Sequence, residues 1–512
     1  MYNPDGFLVR NGQVLPARER DPSPPIMSQR PSVLVISTEP IAAKMAGPAI
    51  RAFELAKAMS DDCEVTLAAP SPSVFPEDLP FFTRETQLEG DEAFEHELAK
   101  FNVVVVQLWP IHRTRYLAGR VKRLVLDMYC PVYLESLEAS RGQDDRSRAA
   151  WHGWMATEIA NALKAADYIL CASERQRDML LGAMMVSGRI EPHTYAEDGT
   201  YRSVIDVVPY GTPEDPPVST KRVMKGILPG IKETDKVLLW GGGVWNWLDP
   251  MTAIKAVEKI AETRDDVKLV FMSLSRSHAA DRIDFSAAAQ ALKYARDRDL
   301  EDKCVFFQTD WIPYDGRADY LLEADLGIST HTDHLETRFS LRSRLLDCVW
   351  AGLPIVATRG DASAEWIEQR GLGKTVDFEN VDELAAACIE LLDNRELYQE
   401  VQGNLAEFAK ESTWKKAAAP LIAYATAAPA LPLRRRDPAS LRMRAVLHFP
   451  SRLRAVYYRE GPVSLTRFAI RRFFNGNGNG HVAGDASSSE PAPPESPNGY
   501  PPQPSLDSEK VT

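Results

Sequence analysis

The stretch from Glu336 to Pro354, E-T-R-F-S-L-R-S-R-L-L-D-C-V-W-A-G-L-P, gathers acids and arginines around the expected start of one helix. A helix beginning near Ser340 or Leu341 turns its free N–H groups and positive dipole end toward whatever precedes it. Arg342 and Arg344 add planar donors suited to a diphosphate. Asp347 follows about 9 Å down the axis, at about 1.5 Å per residue. That distance suits the step from a diphosphate to the ribose hydroxyls of the same nucleotide. Glu336, ahead of the helix, is placed to reach a sugar beyond the phosphates. A ligand both phosphorylated and hydroxylated fits this set, and a nucleotide sugar is such a molecule. The competing reading is an ordinary i,i+3 ion pair of Arg344 with Asp347 on a solvated helix face.

A second chemical stretch is L-W-G-G-G-V-W-N-W-L-D-P, where Gly241, Gly242 and Gly243 let backbone approach a ligand closely. Asn246 stands where the last glycine of G-x-G-x-x-G belongs, so a dinucleotide oxidoreductase fits poorly. Trp245 and Trp247 are candidates to line a sugar or acceptor pocket, or else are core residues. His331 and His334 flank the acid–arginine cluster without a third ligand at metal-like spacing and read as polar loop residues. No metal or other cofactor is implied.

The elements that position these groups alternate between apolar runs and helical segments. Val33–Thr38, Val65–Ala69, Val103–Val106, Leu124–Leu126 and Tyr168–Leu170 read as buried strands, closed by V-I-D-V-V-P-Y-G at Val204–Gly211. A second series follows the proline-rich link Pro213–Pro217: Lys236–Trp240, Lys268–Met272, Cys304–Phe307, Leu326–Ser329 and Pro354–Ala357. Two such αβ series predict two doubly wound Rossmann-like domains facing a cleft. The expected organisation is a disordered leader (1–31), an N-terminal acceptor-side domain (32–212) and a C-terminal donor-binding domain with a crossover helix after Trp414 (213–425). A basic amphipathic appendage (426–474) and a disordered tail (475–512) complete it.

Bulk composition agrees with a soluble globular protein: 44% hydrophobic and 26% charged over 512 residues. A net charge of -12 argues against a general nucleic-acid binder. Cys63, Cys130, Cys171, Cys304, Cys348 and Cys388 are scattered, which suits reduced thiols better than disulfides or zinc. No run reaches the roughly 18 apolar residues of a spanning helix, and the first residues lack a secretory pattern. The expected location is the cytoplasm. The arginines from Arg434 to Arg472, interleaved with aromatic and aliphatic residues, suit an anionic lipid surface at the inner face of the cell membrane. They equally suit a solvated appendage or a protein-binding surface.

The segment S-x-R-x-R-L-L-D-C-V-W-A-G-L-P-I-V-A-T resembles the donor-binding region of GT-B glycosyltransferases of the family 4 type, whose signature is E-x7-E followed by a small-residue helix end and G-L-P. V-D-V-V-P-Y-G-T and Y-L-L-E-A-D-L-G-I-S-T are similar to other pieces of that family, and the resemblance runs through most of residues 33–425. It implies retaining transfer of a sugar from a nucleotide donor to a glycan or lipid-linked acceptor. It places Asp347 where the ribose-holding glutamate stands and displaces Glu336 by three residues from the sugar-binding one. It makes Gly47 part of the glycine loop that approaches the diphosphate, and Trp311-Ile312 the cradle of the base. It makes Asp127 the substitute for a histidine that touches the donor sugar. The family's G-R-x4-K-G is absent here, Gly243 falling at the arginine, so Arg342 and Arg344 are expected to carry that charge. Other readings of the same architecture are a sugar-nucleotide epimerase and a non-catalytic nucleotide-sugar-binding scaffold at the membrane.

Overall fold

The computed structural model describes residues 9–10, 13–14, 30–87, 91–107, 117–274, 286–308 and 310–427. The basic appendage and the tail expected at the C-terminus lie outside the described residues. The chain divides into Met1–Arg30 and the remainder. In the first part only a short antiparallel pair is described, β1 (Val9–Arg10) with β2 (Gln13–Val14).

From Ser32 onward, seven parallel strands form one sheet: β3 (Ser32–Ile36), β4 (Glu64–Pro70), β5 (Phe82–Thr86), β6 (Val103–Gln107), β7 (Leu124–Asp127), β8 (Tyr168–Cys171) and β9 (Ile205–Val207). Six more form a second: β10 (Lys236–Trp240), β11 (Val267–Phe271), β12 (Val305–Phe307), β13 (Leu326–Ser329), β14 (Ile355–Thr358) and β15 (Gly373–Val376). The orders are β5-β4-β3-β6-β7-β8-β9 and β12-β11-β10-β13-β14-β15. Every residue of β6, β11, β13 and β14 is buried, which explains why these strands read as near-continuous apolar runs; the buried Lys268 in β11 is satisfied by the carbonyls of Asp265 and Lys303. The edge strands β5 and β15 are mostly polar and partly exposed, and no apolar run announces them.

In both sheets the chain starts in the middle and builds outward in two directions. The order therefore reverses between β3 and β6 and between β10 and β13, and the loops leaving these strand ends part to leave a crevice. Helices set the walls: α1 (Gly47–Met59), α2 (Val132–Ala139) and α3 (Glu174–Val186) in the first domain. The second contributes α4 (Pro250–Ala261), α5 (Arg317–Glu323), α6 (Leu335–Phe339), α7 (Ser343–Ala351) and α8 (Ala362–Arg370).

After the second sheet the chain returns to the first. Thr212 N–H donates to Ser412 O at 2.8 Å and Trp414 N–H to Thr212 O at 2.9 Å, so outgoing and returning segments are zipped together. Trp414 packs on Tyr210, and Lys415 pairs with Asp61 and Asp62. The last described helix, α9 (Ala419–Thr426), stacks Tyr424 on Tyr168 with centroids 4.3 Å apart, and Arg123 donates to the carbonyls of Tyr424 and Ala425. Gly211 is the pinch point, because a Cβ there would sit 2.6 Å from Trp414 Cα. Gly211→Ala is therefore expected to lower stability by about 1–3 kcal/mol, read as an earlier chemical-denaturation midpoint.

Candidate active site

Between β10 and α4 the backbone turns through Gly241-Gly242-Gly243. Gly242 sits at φ 72° with nothing within 4 Å of where a Cβ would be, so the turn needs glycine and leaves open space above it. Trp311 flanks Gly243, and Trp245 lies beside both. Trp245 and Trp247 stack nearly parallel, with centroids 5.5 Å apart at 4°. Asp249 closes the turn by capping α4 through Thr252 N–H. His334 fixes the Trp247 end, its Nε2 lying 3.2 Å from Trp247 O while its Nδ1 accepts from Thr337 N–H.

Arg344, in the first turn of α7, reaches this glycine turn. Its Nη2 donates to Gly243 O at 2.9 Å and its guanidinium lies 5.3 Å from the Trp240 ring centroid. Its Nη1 is buried without a hydrogen-bond partner. Burial, with Arg342 as a like-charged neighbour, pushes its pKa down to about 9. A guanidinium in that state is short of an anion, and a diphosphate supplies one.

Arg342 is not in that position, which corrects the pairing expected from the sequence. α7 begins at Ser343 with Arg342 as N-cap, after the separate helix α6, rather than at Ser340 or Leu341. The break folds Arg342 back over Glu336: Nη1–Oε1 is 2.9 Å and Nη2–Oε2 2.8 Å. Ser340 Oγ also donates to Glu336 Oε1, and Asp361 Oδ2 lies 3.4 Å from Arg342 Nε. Glu336 is 1% exposed. Its carboxylate is committed to Arg342 and Ser340, so the expected reach to a donor sugar is replaced by a buried ion pair. Arg342 in turn is neutralised by acids and does not offer its charge to phosphate.

Asp127 is corrected in the same way. It is 2% exposed, and Arg51 of α1 grips it with Nε–Oδ2 at 2.8 Å and Nη2–Oδ1 at 2.9 Å. Arg51 continues to the carbonyls of Val208 and Pro209. Asp127 thus anchors α1 to the sheet instead of meeting a sugar.

Asp347 does face open space: its side chain is 40% exposed, and only Oδ1 is engaged in the described pairs, by Arg317 Nε at 3.1 Å. Arg317 lies 3.6 Å from the Tyr314 ring centroid and 4.5 Å from that of Trp350. The loop carrying Trp311 and Ile312 spans to the first domain. Trp311 Nε1 donates to Met45 O at 3.2 Å, Tyr314 N–H to Ala43 O at 2.8 Å and Tyr314 OH to Glu54 Oε1 at 3.0 Å. Ile312 is held by Ser273 Oγ. Gly47 opens α1, whose N-cap Ala46 brings no side-chain cap, and its carbonyl accepts from Tyr210 OH at 3.2 Å. Gly47, Trp311, Arg344 and the glycine turn thus line the same crevice, and Asp347, one turn along α7 from Arg344, lies close enough to act on both Arg344 and Tyr210.

Residues the sequence reading passed over also sit here. Arg317 carries positive charge at the start of a helix, against the dipole, and that anomaly was the available signal. Glu135 on α2 gave none. Half-buried where α2 packs on α6, it has its carboxyl pushed up to about 8 by burial and by Glu336, while Arg342 works the other way. Cys130 and Tyr129 border it on its own side. Asp361, capping α8, is raised to about 6, mainly by burial. Gln176 bridges the domains, donating to Tyr129 O and Phe339 O.

Residues 235–394 match the family described as glycosyl transferases group 1. Solved structures share the two-sheet fold across both domains. Sucrose-phosphate synthase from Thermosynechococcus elongatus superposes with a TM-score of 0.54 at 13% identity, covering 77% of this chain and 97% of its own. Anabaena HepE in complex with UDP-glucose gives 0.54 at 12%, covering 77% and 98%. An E. coli trehalose-6-phosphate protein bound with UDP-2-fluoro glucose gives 0.55 at 12%, covering 78% and 99%. No curated protein matches in sequence. Residues 235–394 thus match the group 1 glycosyltransferase family, and the chain as a whole has the two-sheet fold of these solved structures.

Glu135 carries a pH consequence. The folded chain keeps its proton to about pH 8, far above the ordinary glutamate value of 4.5. Its contribution is complete at low pH and is lost as pH rises through about 8. Wild-type stability is expected to fall between pH 5 and pH 8 in denaturant titrations, and Glu135→Gln to flatten that fall.

Proposed function

We propose that the enzyme transfers a sugar, with retention, from a nucleoside-diphosphate donor to a hydroxyl of a glycan or lipid-linked acceptor. The observation that carries this reading is Arg344: a half-buried side chain whose Nη1 is enclosed without a hydrogen-bond partner, set against a glycine turn with open space above it. Diphosphate oxygens there would satisfy Nη1, and the same contact would stabilise the charge that grows on the leaving diphosphate. Asp347 Oδ2 would accept from the ribose. The stacked Trp245 and Trp247 offer flat apolar faces to a sugar ring. Gly47 and the uncapped start of α1 would close on the phosphates from the first domain and exclude water, which otherwise competes as acceptor. The HepE and E. coli structures hold UDP-sugars, which favours a uridine donor as the first to try.

Thermal-shift titration with UDP-, GDP-, ADP- and dTDP-sugars is expected to find at least one that stabilises the protein. Arg344→Gln should weaken that donor by about tenfold or more. Undiminished stabilisation would remove Arg344 from the site. The anomeric configuration of the product, read by NMR, tests retention.

An acceptor in cell-surface glycan or glycolipid assembly, met by a cytoplasmic enzyme resting on the inner membrane face, would explain the eleven arginines between Arg434 and Arg472. The full chain is expected to sediment with phosphatidylglycerol vesicles at low salt. A chain ending at Ala427 should stay in the supernatant.

A further inference from the structure

The side chains around Asp347 form a path out of the donor site that ends in the other domain. Asp347 Oδ1 accepts from Arg317 Nε at 3.1 Å. Arg317 is nearly buried, its planar group 3.6 Å from the Tyr314 ring centroid, and its Nη1 donates to Tyr314 O at 2.6 Å. Tyr314 OH donates across the interdomain boundary to Glu54 Oε1 at 3.0 Å. Glu54 lies on α1, the helix whose first residue is Gly47 and whose Arg51 grips Asp127.

We propose that Arg317 is a positioning residue that holds the Asp347 carboxylate for the ribose, and that Tyr314 links this pair to Glu54 so that nucleotide occupancy favours closure of the first domain. The inference rests on the donor-site reading above and adds a route by which that site controls domain position. Arg317 holds one oxygen of Asp347 and so fixes its plane, leaving Oδ2 for the ligand. The guanidinium cannot swing away without losing the Tyr314 ring, the Tyr314 carbonyl and Trp350 together. Tyr314 is therefore set by the same group that sets Asp347. Its hydroxyl is one of three bonds from the 311–314 loop to the first domain, with those from Trp311 Nε1 to Met45 and Tyr314 N–H to Ala43.

The link separates into parts that single substitutions can address. Arg317→Ala releases Asp347 and Tyr314 together. Arg317→Lys keeps the charge and loses the plane. Tyr314→Phe keeps the ring under Arg317 and removes only the hydroxyl to Glu54, and Glu54→Gln changes the same bond from the other side.

Calorimetry with UDP, GDP, ADP and dTDP, and small-angle scattering with and without the nucleotide that binds, test the idea. Arg317→Ala is expected to weaken that nucleotide about tenfold, with Arg317→Lys recovering part of the loss. Tyr314→Phe should bind within about fivefold of wild type yet compact less on nucleotide addition. Tyr314→Phe combined with Glu54→Gln should do no more than either alone, because they break one interaction. Wild-type affinity in Arg317→Ala, equal losses in its Lys and Ala forms, full compaction in Tyr314→Phe, or additive effects in the double variant would each overturn the link. Those results leave the donor-site reading standing. Failure of the wild type to bind any of the four nucleotides would bring down that reading, and the link with it.

Discussion

A half-buried guanidinium with one enclosed nitrogen left unpartnered is the constraint around which the crevice face of the second sheet is organised. Arg342 and Arg344 are two residues apart, yet their situations are opposite. Arg342 is enclosed by Glu336 and Asp361, with Glu135 close enough to be felt, and its charge is spent inside the protein. Arg344 has a backbone carbonyl, an indole face and one nitrogen with no partner. Keeping such a charge out of water is costly unless something negative arrives. The glycine turn that leaves space above Gly242 and the tryptophans around it become intelligible as the housing for that arrival.

Much of the architecture could be read from the chain because its central strands are buried on both faces and so spell continuous apolar runs. The strands that escaped, Phe82–Thr86 and Gly373–Val376, lie at sheet edges where partial exposure admits polar residues. The site was legible more selectively. Asp347 does stand exposed and the glycine turn does leave open space, features that local sequence can carry. Glu336 and Arg342 were assigned to ligands because the residues ahead of Ser340 were expected to form a loop reaching outward, whereas they form a separate helix. The chain breaks there, and six residues become a hairpin of charges instead of a ladder. Asp127 shows a different limit: its partner Arg51 is 76 residues away, and nothing near Leu124–Asp127 announces it.

The acids that the sequence suggested for catalysis are thus engaged in holding the protein together. Asp127 ties α1 to the strand ends of the first domain, and Glu336 ties α6 to the start of α7. Each is paired with an arginine through both oxygens, the geometry that makes a buried pair worth its desolvation. Removing either acid would strand a charge in the interior, so loss of activity in such variants would report on folding before chemistry. Asp347 and Arg344, the residues with unsatisfied capacity, are the informative ones to alter.

The zipped crossing at Thr212 and Thr413 has a mechanical implication. Among the described residues the polypeptide passes between its two halves twice, and both passages lie side by side, bonded backbone to backbone. Two parallel tethers at one place act as a door hinge: they resist sliding and separation, and they leave rotation as the free motion. The margin of the crevice farthest from Trp414 would then sweep the widest arc. A small twist at the tethers would suffice to admit a bulky acceptor.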